Sequence, residues 1–217
     1  PEDALRRLVS VFEKLVKEKG APILRITGGE PLYTKENCMK TAAILDAAKD
    51  YKKIVFCTNG VFLKEAYMAN SKQWDAVRSK LLLKISLDTL EPNRFCEITG
   101  TGKNGGELFD SIIENIKFAN AHGFKIELNI VATKVNLNRA EDIIKIFDFA
   151  RELGLIGVKV LTVNDFGGNV EVEQSEKEKK HISGILNDVI QKMKEREYEE
   201  TEVYLNDNKG IQMRRFI

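Results

Sequence analysis

A glycine pair followed by a carboxylate and a proline is the part of the 217-residue sequence whose residue types most clearly suggest chemistry: Thr27-Gly28-Gly29-Glu30-Pro31. Residues without a Cβ let a ligand approach backbone N–H and C=O groups closely, and Pro31 fixes the φ angle that follows. Glu30 could pair with an ammonium group, whereas it would repel a phosphate. The pattern therefore indicates either a site for an α-amino-acid group or a simple tight turn.

Polar residues or glycine also mark the ends of the other predicted strands. They are Thr58-Asn59-Gly60 after the second strand, Ser86 and Asp88 at the third, Glu127, Asn129 and Lys134 at the fourth, and Asn164-Asp165-Phe166-Gly167-Gly168 after the fifth. In parallel barrels, the chemistry takes place at the carboxyl ends of the strands. We therefore expect these groups to converge on one rim.

Two apolar periodicities alternate along the chain and predict the elements that carry this rim. Short branched runs predict strands over residues 23–26, 54–57, 81–87, 124–132 and 158–163. Helical spacing predicts helices over 3–19, 36–50, 91–99, 108–122, 139–153 and 175–197, and around Trp74 and Val77. A loop is predicted over 102–106, and a hairpin in which 203–205 and 211–213 flank 206–210. Alternating strands and helices indicate parallel βαβ units, in a doubly wound sheet or a whole or partial barrel.

Composition and charge exclude several classes of partner. Lys and Arg total 34 and Asp and Glu total 33, so a net charge of +1 gives no reason to expect nucleic acid or an anionic membrane. No apolar run reaches the roughly 18 residues of a membrane span. Three scattered cysteines form no disulfide framework, so we expect a reducing cytoplasm. Because the chain begins at Pro1 and not at Met, we expect it to be an internal piece of a longer protein, or the ordered part of one.

Four strings, taken in order, resemble the radical S-adenosylmethionine (SAM) enzymes. Thr27-Gly28-Gly29-Glu30-Pro31-Leu32 after a strand resembles their SAM motif, and Thr58-Asn59-Gly60 resembles a strand end common in that family. The closest likeness is to the molybdenum-cofactor GTP cyclase branch, through Ile85-Ser86-Leu87-Asp88-Thr89-Leu90, then Phe95 and Ile98-Thr99-Gly100. Asn129 stands where that branch has an Asn in its next strand. The resemblance covers roughly residues 1–168.

The resemblance implies a fold and a set of binding residues. The fold is α/β, a partial (β/α)6 TIM-like barrel of parallel strands over residues 1–170, with a C-terminal helix and hairpin over 171–217 extending the same domain. Gly28, Gly29 and Glu30 would hold the SAM amino group. The full set implied for the cofactor is Gly28, Gly29, Glu30, Thr58, Asn59, Ser86, Asp88, Asn129 and Asn164, while Arg25 and Thr58 match positions that touch the nucleotide substrate. No catalytic acid, base or metal ligand is assigned.

The cysteines do not match the pattern of the family, which holds a [4Fe-4S] cluster by Cys-x3-Cys-x2-Cys after its first strand. Cys38, Cys57 and Cys96 lack cluster-ligand spacing and are predicted to be buried structural thiols. The resemblance therefore implies that the first strand and its cysteine loop lie before Pro1. It also implies an electron donor such as flavodoxin or ferredoxin.

The implied activity is reductive cleavage of SAM to a 5′-deoxyadenosyl radical, which removes a hydrogen from a substrate. Molybdenum-cofactor-type biosynthesis is one interpretation. Because Glu127 stands where the cyclase has a substrate-binding lysine, modification of a peptide or another small molecule is the alternative. Two further alternatives are a non-catalytic barrel and a phosphate-binding barrel, in which Gly167-Gly168 would bind phosphate and Lys134 or Lys159 would form a Schiff base.

Overall fold

The computed structural model describes residues 2–20, 23–102, 105–133, 135–162, 176–196, 200–206 and 211–216. The helices are α1 (Glu2–Lys19), α2 (Lys35–Ala47), α3 (Leu63–Val77), α4 (Pro92–Thr99), α5 (Gly105–Ala121), α6 (Ala140–Glu152) and α7 (Glu176–Glu195). The strands are β1 (Ile23–Ile26), β2 (Lys53–Thr58), β3 (Leu81–Ser86), β4 (Lys125–Ala132), β5 (Gly157–Thr162), β6 (Glu200–Asn206) and β7 (Ile211–Phe216). None of the described helices is long and apolar enough to cross a bilayer.

Two compact units make up the chain, the first from Pro1–Ser86 and Asp110–Ile126 and the second from Leu87–Phe109 and Glu127–Ile217. In the first unit, β1, β2 and β3 pair side by side and parallel. Their pairing aligns Ile26 with Phe56 and Thr58 with Ile85, so their carboxyl ends share one edge. The apolar runs of β2 and β3 are buried, as expected for parallel strands.

The second unit contains both parallel and antiparallel strands. Strands β4 and β5 are parallel, whereas β7 pairs antiparallel with β5 and with β6. The parallel βαβ units and the C-terminal hairpin predicted from the sequence are thereby confirmed, although residues 207–210 of its turn lie outside the described residues. The core contains Ile146 and Phe147 of α6 and Val189 and Met193 of α7, all fully buried.

An ion pair joins α4 to α6 in this unit. Arg94 Nη1 lies 3.0 Å from Asp142 Oδ2, and the Asp142 side chain is almost fully buried. Asp142 also accepts from Arg139 N at the start of α6. Burial raises the pKa of Asp142, but the hydrogen bonds and charges of Arg94 and Arg139 outweigh it, so the pKa lies below its ordinary value.

Helix α5 begins at Gly105, so the loop predicted over 102–106 was wrong in its last two residues. A Cβ at Gly105 would clash with Cys96 Sγ and Thr101 Oγ1. Glycine at this position therefore permits a close approach to α4. Sequence rules interpret consecutive glycines as a loop because they take no account of such packing.

Candidate functional site

The predicted glycine turn follows β1 directly and is open to solvent. Gly28 has a φ of +127°, a conformation that favours glycine. Cβ atoms built on Gly28 and Gly29 would meet no atom within 4 Å. The turn therefore leaves space beside its backbone for a ligand.

Glu30 closes this turn, and its carboxylate accepts three hydrogen bonds. Oε1 accepts from Leu32 N at 3.1 Å and from Thr58 Oγ1 at 2.6 Å. Oε2 accepts from Asn59 N at 2.6 Å. A carboxylate offers about four acceptor positions, so one position on Oε2 is left for a ligand donor. The structure thus brings together three of the predicted site residues, Glu30, Thr58 and Asn59.

Thr58 and Asn59 support Glu30 in different ways. The Thr58 side chain is 5% exposed, and its hydroxyl donates to Glu30 while accepting from Gly60 N at 3.1 Å. Asn59 is exposed; its backbone N–H serves Glu30, and its Oδ1 accepts from Val61 N at 3.0 Å. Thr58 and Asn59, the first two residues of the predicted Thr-Asn-Gly string, therefore both hold the carboxylate in place.

Asn115 of α5 is part of this arrangement and was missed by the sequence analysis. Its Nδ2 donates to Gly60 O at 2.9 Å and to Val61 O at 2.7 Å. The available signal was a polar residue on the apolar stripe of a predicted helix, between Ile112 and Ile116. Two further predicted residues in the first unit, Arg25 on β1 and Ser86 at the end of β3, have exposed side chains.

In the second unit, Asp88 and Asn129 lie where β4 meets the segment after β3. Asp88 Oδ1 accepts from Val131 N at 2.7 Å, and Leu87 N donates to Asn129 O at 2.9 Å. Burial raises the pKa of Asp88 above its ordinary value, against the lowering effect of the Val131 hydrogen bond. Asn129 Oδ1 is buried without a hydrogen-bond partner among the described residues, so it remains available to a donor.

Asn136, also missed by the sequence analysis, ties this segment together. It is 2% exposed, and its Nδ2 donates to Asp88 O at 3.3 Å and to Val131 O at 2.6 Å. Its Oδ1 accepts from the backbone N and the hydroxyl of Thr133. All four hydrogen-bonding positions of the amide are filled. A Thr and an Asn three residues apart after a strand was the signal available in the sequence.

The remaining predicted residues lie outside the described part of the chain or form no metal site within it. Asn164, Lys134, Gly167 and Gly168 lie outside the described residues. In the part of the chain that is described, no group of three or more His, Cys, Asp or Glu side chains could hold a metal ion. Cys38 is buried, with its thiol 3.6 Å from Leu32 O, while Cys57 and Cys96 are half-buried. These residues do not fit an iron–sulfur cluster.

The glycine turn and Glu30 do fit an amino-acid group. The turn provides open space beside its backbone, and the carboxylate has an acceptor position directed to no protein donor in the described residues. An ammonium group supplies donors that a carboxylate can accept in a charge-assisted hydrogen bond. This donor and acceptor arrangement matches the α-amino end of SAM.

Comparison with known proteins gives concordant matches. The family model described as "Radical SAM superfamily" matches residues 1–177. The GTP 3′,8-cyclase of Bradyrhizobium diazoefficiens is 32% identical over 169 residues, 76% of this chain and 44% of that protein. The GTP 3′,8-cyclase of Aquifex aeolicus is 33% identical over 174 residues, 76% of this chain and 48% of that protein.

A solved structure is similar in fold. Streptococcus suis SuiB bound to the precursor peptide SuiA matches with a TM-score of 0.61 and 21% identity, over 88% of this chain and 40% of that one. This likeness confirms the predicted α/β fold of TIM-barrel type. The chain spans about half the length of the curated relatives that it matches. Together with the glycine turn and its carboxylate, the family match over most of the chain shows that this protein belongs to the radical SAM superfamily.

Proposed function

We propose that this chain is the SAM-holding part of a radical SAM enzyme, and that Glu30 and the Gly28-Gly29 turn bind the SAM amino group. The observation that carries the proposal is the Glu30 carboxylate, which three donors hold at the end of an open glycine turn with one acceptor position remaining. The family match supports it. Neither the family match nor this geometry supports a phosphate-binding barrel.

In this proposal the residues of the chain bind and orient the cofactor. When bound and reduced by one electron, SAM supplies a 5′-deoxyadenosyl radical that removes a hydrogen from the substrate. Glu30 accepts from the amino group, and Thr58 and Asn59 keep its carboxylate in place. From the sequence resemblance alone we assign Gly28, Gly29, Ser86, Asp88, Asn129 and Asn164 to the same cofactor. No residue is assigned as an acid, a base or a radical carrier.

For the substrate we propose first a purine nucleotide, with Arg25 and Thr58 on its side of the site. The support is the similarity to GTP 3′,8-cyclases at 32% and 33% identity, and with it we propose a role in molybdenum-cofactor-type biosynthesis. Arg25 is exposed on β1 and can offer a guanidinium to an anionic group. The buried hydroxyl of Thr58 already serves Glu30, so its effect on a nucleotide would be indirect.

A second candidate is a peptide or another small molecule without a triphosphate. The observation that favours it is Glu127, which is 3% exposed on β4 at the position where the cyclase branch has a lysine. A carboxylate at that position repels a triphosphate. Release of 5′-deoxyadenosine with GTP or with candidate peptides, measured anaerobically, separates the two candidates.

We also propose a domain organisation, an electron donor and a cellular compartment for the enzyme. Residues 1–170 would form the catalytic core and 171–217 an extension of the same domain, as the antiparallel pairing of β7 with β5 supports. The electron would come from a flavodoxin or ferredoxin in a reducing cytoplasm. The thiols of Cys38, Cys57 and Cys96, which form no disulfide, are consistent with that compartment.

Calorimetric titration of SAM into the anaerobically reconstituted full-length protein tests the proposal. Glu30→Ala should weaken SAM binding by at least about tenfold, because it removes a charge-assisted acceptor, while the protein still folds. Glu36→Ala is the matched control, because Glu36 is an exposed carboxylate on α2 whose partner is Lys40. An unchanged SAM affinity in Glu30→Ala would contradict the assignment of Glu30 to the SAM amino group.

A further inference from the structure

Asn115 is a buried polar side chain on the otherwise apolar inner face of α5. It is 4% exposed, and its neighbours one turn away, Ile112 and Ala119, are equally buried. A buried amide without partners costs stability, so such a residue is expected to satisfy its hydrogen bonds. Asn115 does so with a loop that lies 54 and 55 residues earlier in the chain.

Both hydrogens of the Asn115 amide are used on this loop. Nδ2 donates to Gly60 O at 2.9 Å and to Val61 O at 2.7 Å. These two carbonyls belong to the residues that follow Asn59, whose backbone N–H donates to Glu30. The amide therefore fixes the direction of two consecutive peptide groups immediately beyond the donor that holds Glu30.

Gly60 makes the conformation of the loop depend on these two hydrogen bonds. Its φ is +82°, and a Cβ at this position would lie 3.0 Å from Ile85 Cγ2. Its N–H donates to Thr58 Oγ1 at 3.1 Å, and the same hydroxyl donates to Glu30. Glycine restricts the backbone little, so the conformation here depends on outside contacts. Asn115 supplies two of them.

We infer that Asn115 is a positioning residue for SAM: it holds the Gly60–Val61 loop so that Asn59 N and Thr58 Oγ1 keep the Glu30 carboxylate directed at the amino group. This inference rests on the proposed function. Among the hydrogen bonds of the described residues, Asn115 bonds the loop carbonyls and not Glu30 itself. Its removal leaves two loop carbonyls without their donor, and the loop then relaxes away from the geometry that Glu30 requires.

The test measures SAM dissociation constants by calorimetry, well below the unfolding temperatures, for wild type, Asn115→Ala, Glu30→Gln, the double variant and one control. Tyr67→Phe is the matched control, because it removes a hydroxyl of the same unit that, within the described residues, bonds Asp75 and Arg78 and not the loop. We expect Asn115→Ala to raise the dissociation constant about tenfold and Tyr67→Phe to change it less than about twofold. We expect no further loss when Asn115→Ala is added to Glu30→Gln.

Each outcome either supports or overturns the positioning role of Asn115. A dissociation constant for Asn115→Ala close to that of Tyr67→Phe, or effects of Asn115→Ala and Glu30→Gln that simply add, overturns the positioning role. If Asn115→Ala does not fold, Asn115→Ser, which keeps a hydroxyl donor, is measured in the same cycle and judged by the same non-additivity. If wild type itself binds no SAM, the proposed function fails. Normal SAM binding by both wild type and Asn115→Ala overturns only the positioning role.

Discussion

The hydroxyl of Thr58 donates a 2.6 Å hydrogen bond to Glu30 Oε1, which links the ends of two adjacent parallel strands. The same hydroxyl accepts from Gly60 N, so its hydrogen is committed to the carboxylate. Thr58 was predicted as a contact of both cofactor and substrate. Its geometry gives it a more specific role, which is to orient Glu30 from a buried position.

Thr58→Val should lower SAM affinity about fivefold and destabilise the protein by about 1 kcal/mol, because it leaves Gly60 N without its acceptor and removes one of the three donors to Glu30. Thr58→Ser keeps the hydroxyl and should restore most of the affinity. Calorimetry gives the affinities, and urea unfolding gives the stability. Equal affinities for the Val and Ser variants would contradict the orienting role.

The two glycines of the turn should respond differently to alanine. Gly28→Ala places a side chain at a φ of +127° and should cost about 1–3 kcal/mol of stability. Gly29 has no positive φ and open space around it, so Gly29→Ala should fold normally. Its new methyl group would occupy space proposed for the ligand, and SAM affinity should fall about tenfold. Normal SAM binding by Gly29→Ala would place the ligand elsewhere.

Asp142→Asn should destabilise the protein by about 2 kcal/mol at neutral pH, because it removes the charge that pairs with Arg94 in a mostly buried setting. The folded-state pKa of Asp142 is lowered, so its stabilisation is complete above the unfolded-state value of about 3.9 and is lost as pH falls through the folded-state pKa. The difference between wild type and variant in urea unfolding should therefore shrink on acidification below about pH 4.

Glu141→Gln provides the comparison for Asp142→Asn. Glu141 is the neighbouring residue on α6 and pairs with Lys192 at the surface. Exposed pairs contribute little, so this variant should unfold like wild type at neutral pH. A Glu141→Gln effect as large as that of Asp142→Asn would mean that burial of the Arg94–Asp142 pair is not the source of the stabilisation.

Gly105→Ala should destabilise the protein by about 1–3 kcal/mol, the usual result of overpacking, although Gly→Ala within a helix ordinarily stabilises it. The reason is the clash of the new methyl with Cys96 and Thr101. Gly106→Ala, one residue later, meets nothing within 4 Å and should be neutral or stabilising. Thermal unfolding of the pair measures both effects, and similar midpoints for the two variants would contradict the packing between α4 and α5.

The secondary structure followed closely from the sequence because apolar periodicity reports burial directly. The strands predicted over 81–87 and 124–132 appear as Leu81–Ser86 and Lys125–Ala132, and the predicted helices also formed. The start of α5 at Gly105 could not be predicted, since glycine there is explained by Cys96, a residue on another helix.

Residue types alone narrowed Gly28-Gly29-Glu30 to an amino-acid site or a tight turn, because a glycine pair and a carboxylate are local properties of one turn. The partners of that carboxylate were decided by tertiary structure. Thr58 and Asn59 reach Glu30 through the register of β1 with β2, and Asn115 reaches the loop beyond them through the packing of α5. Hydrogen bonds between residues 28 to 55 positions apart depend on where the chain returns in space, and no local pattern encodes that.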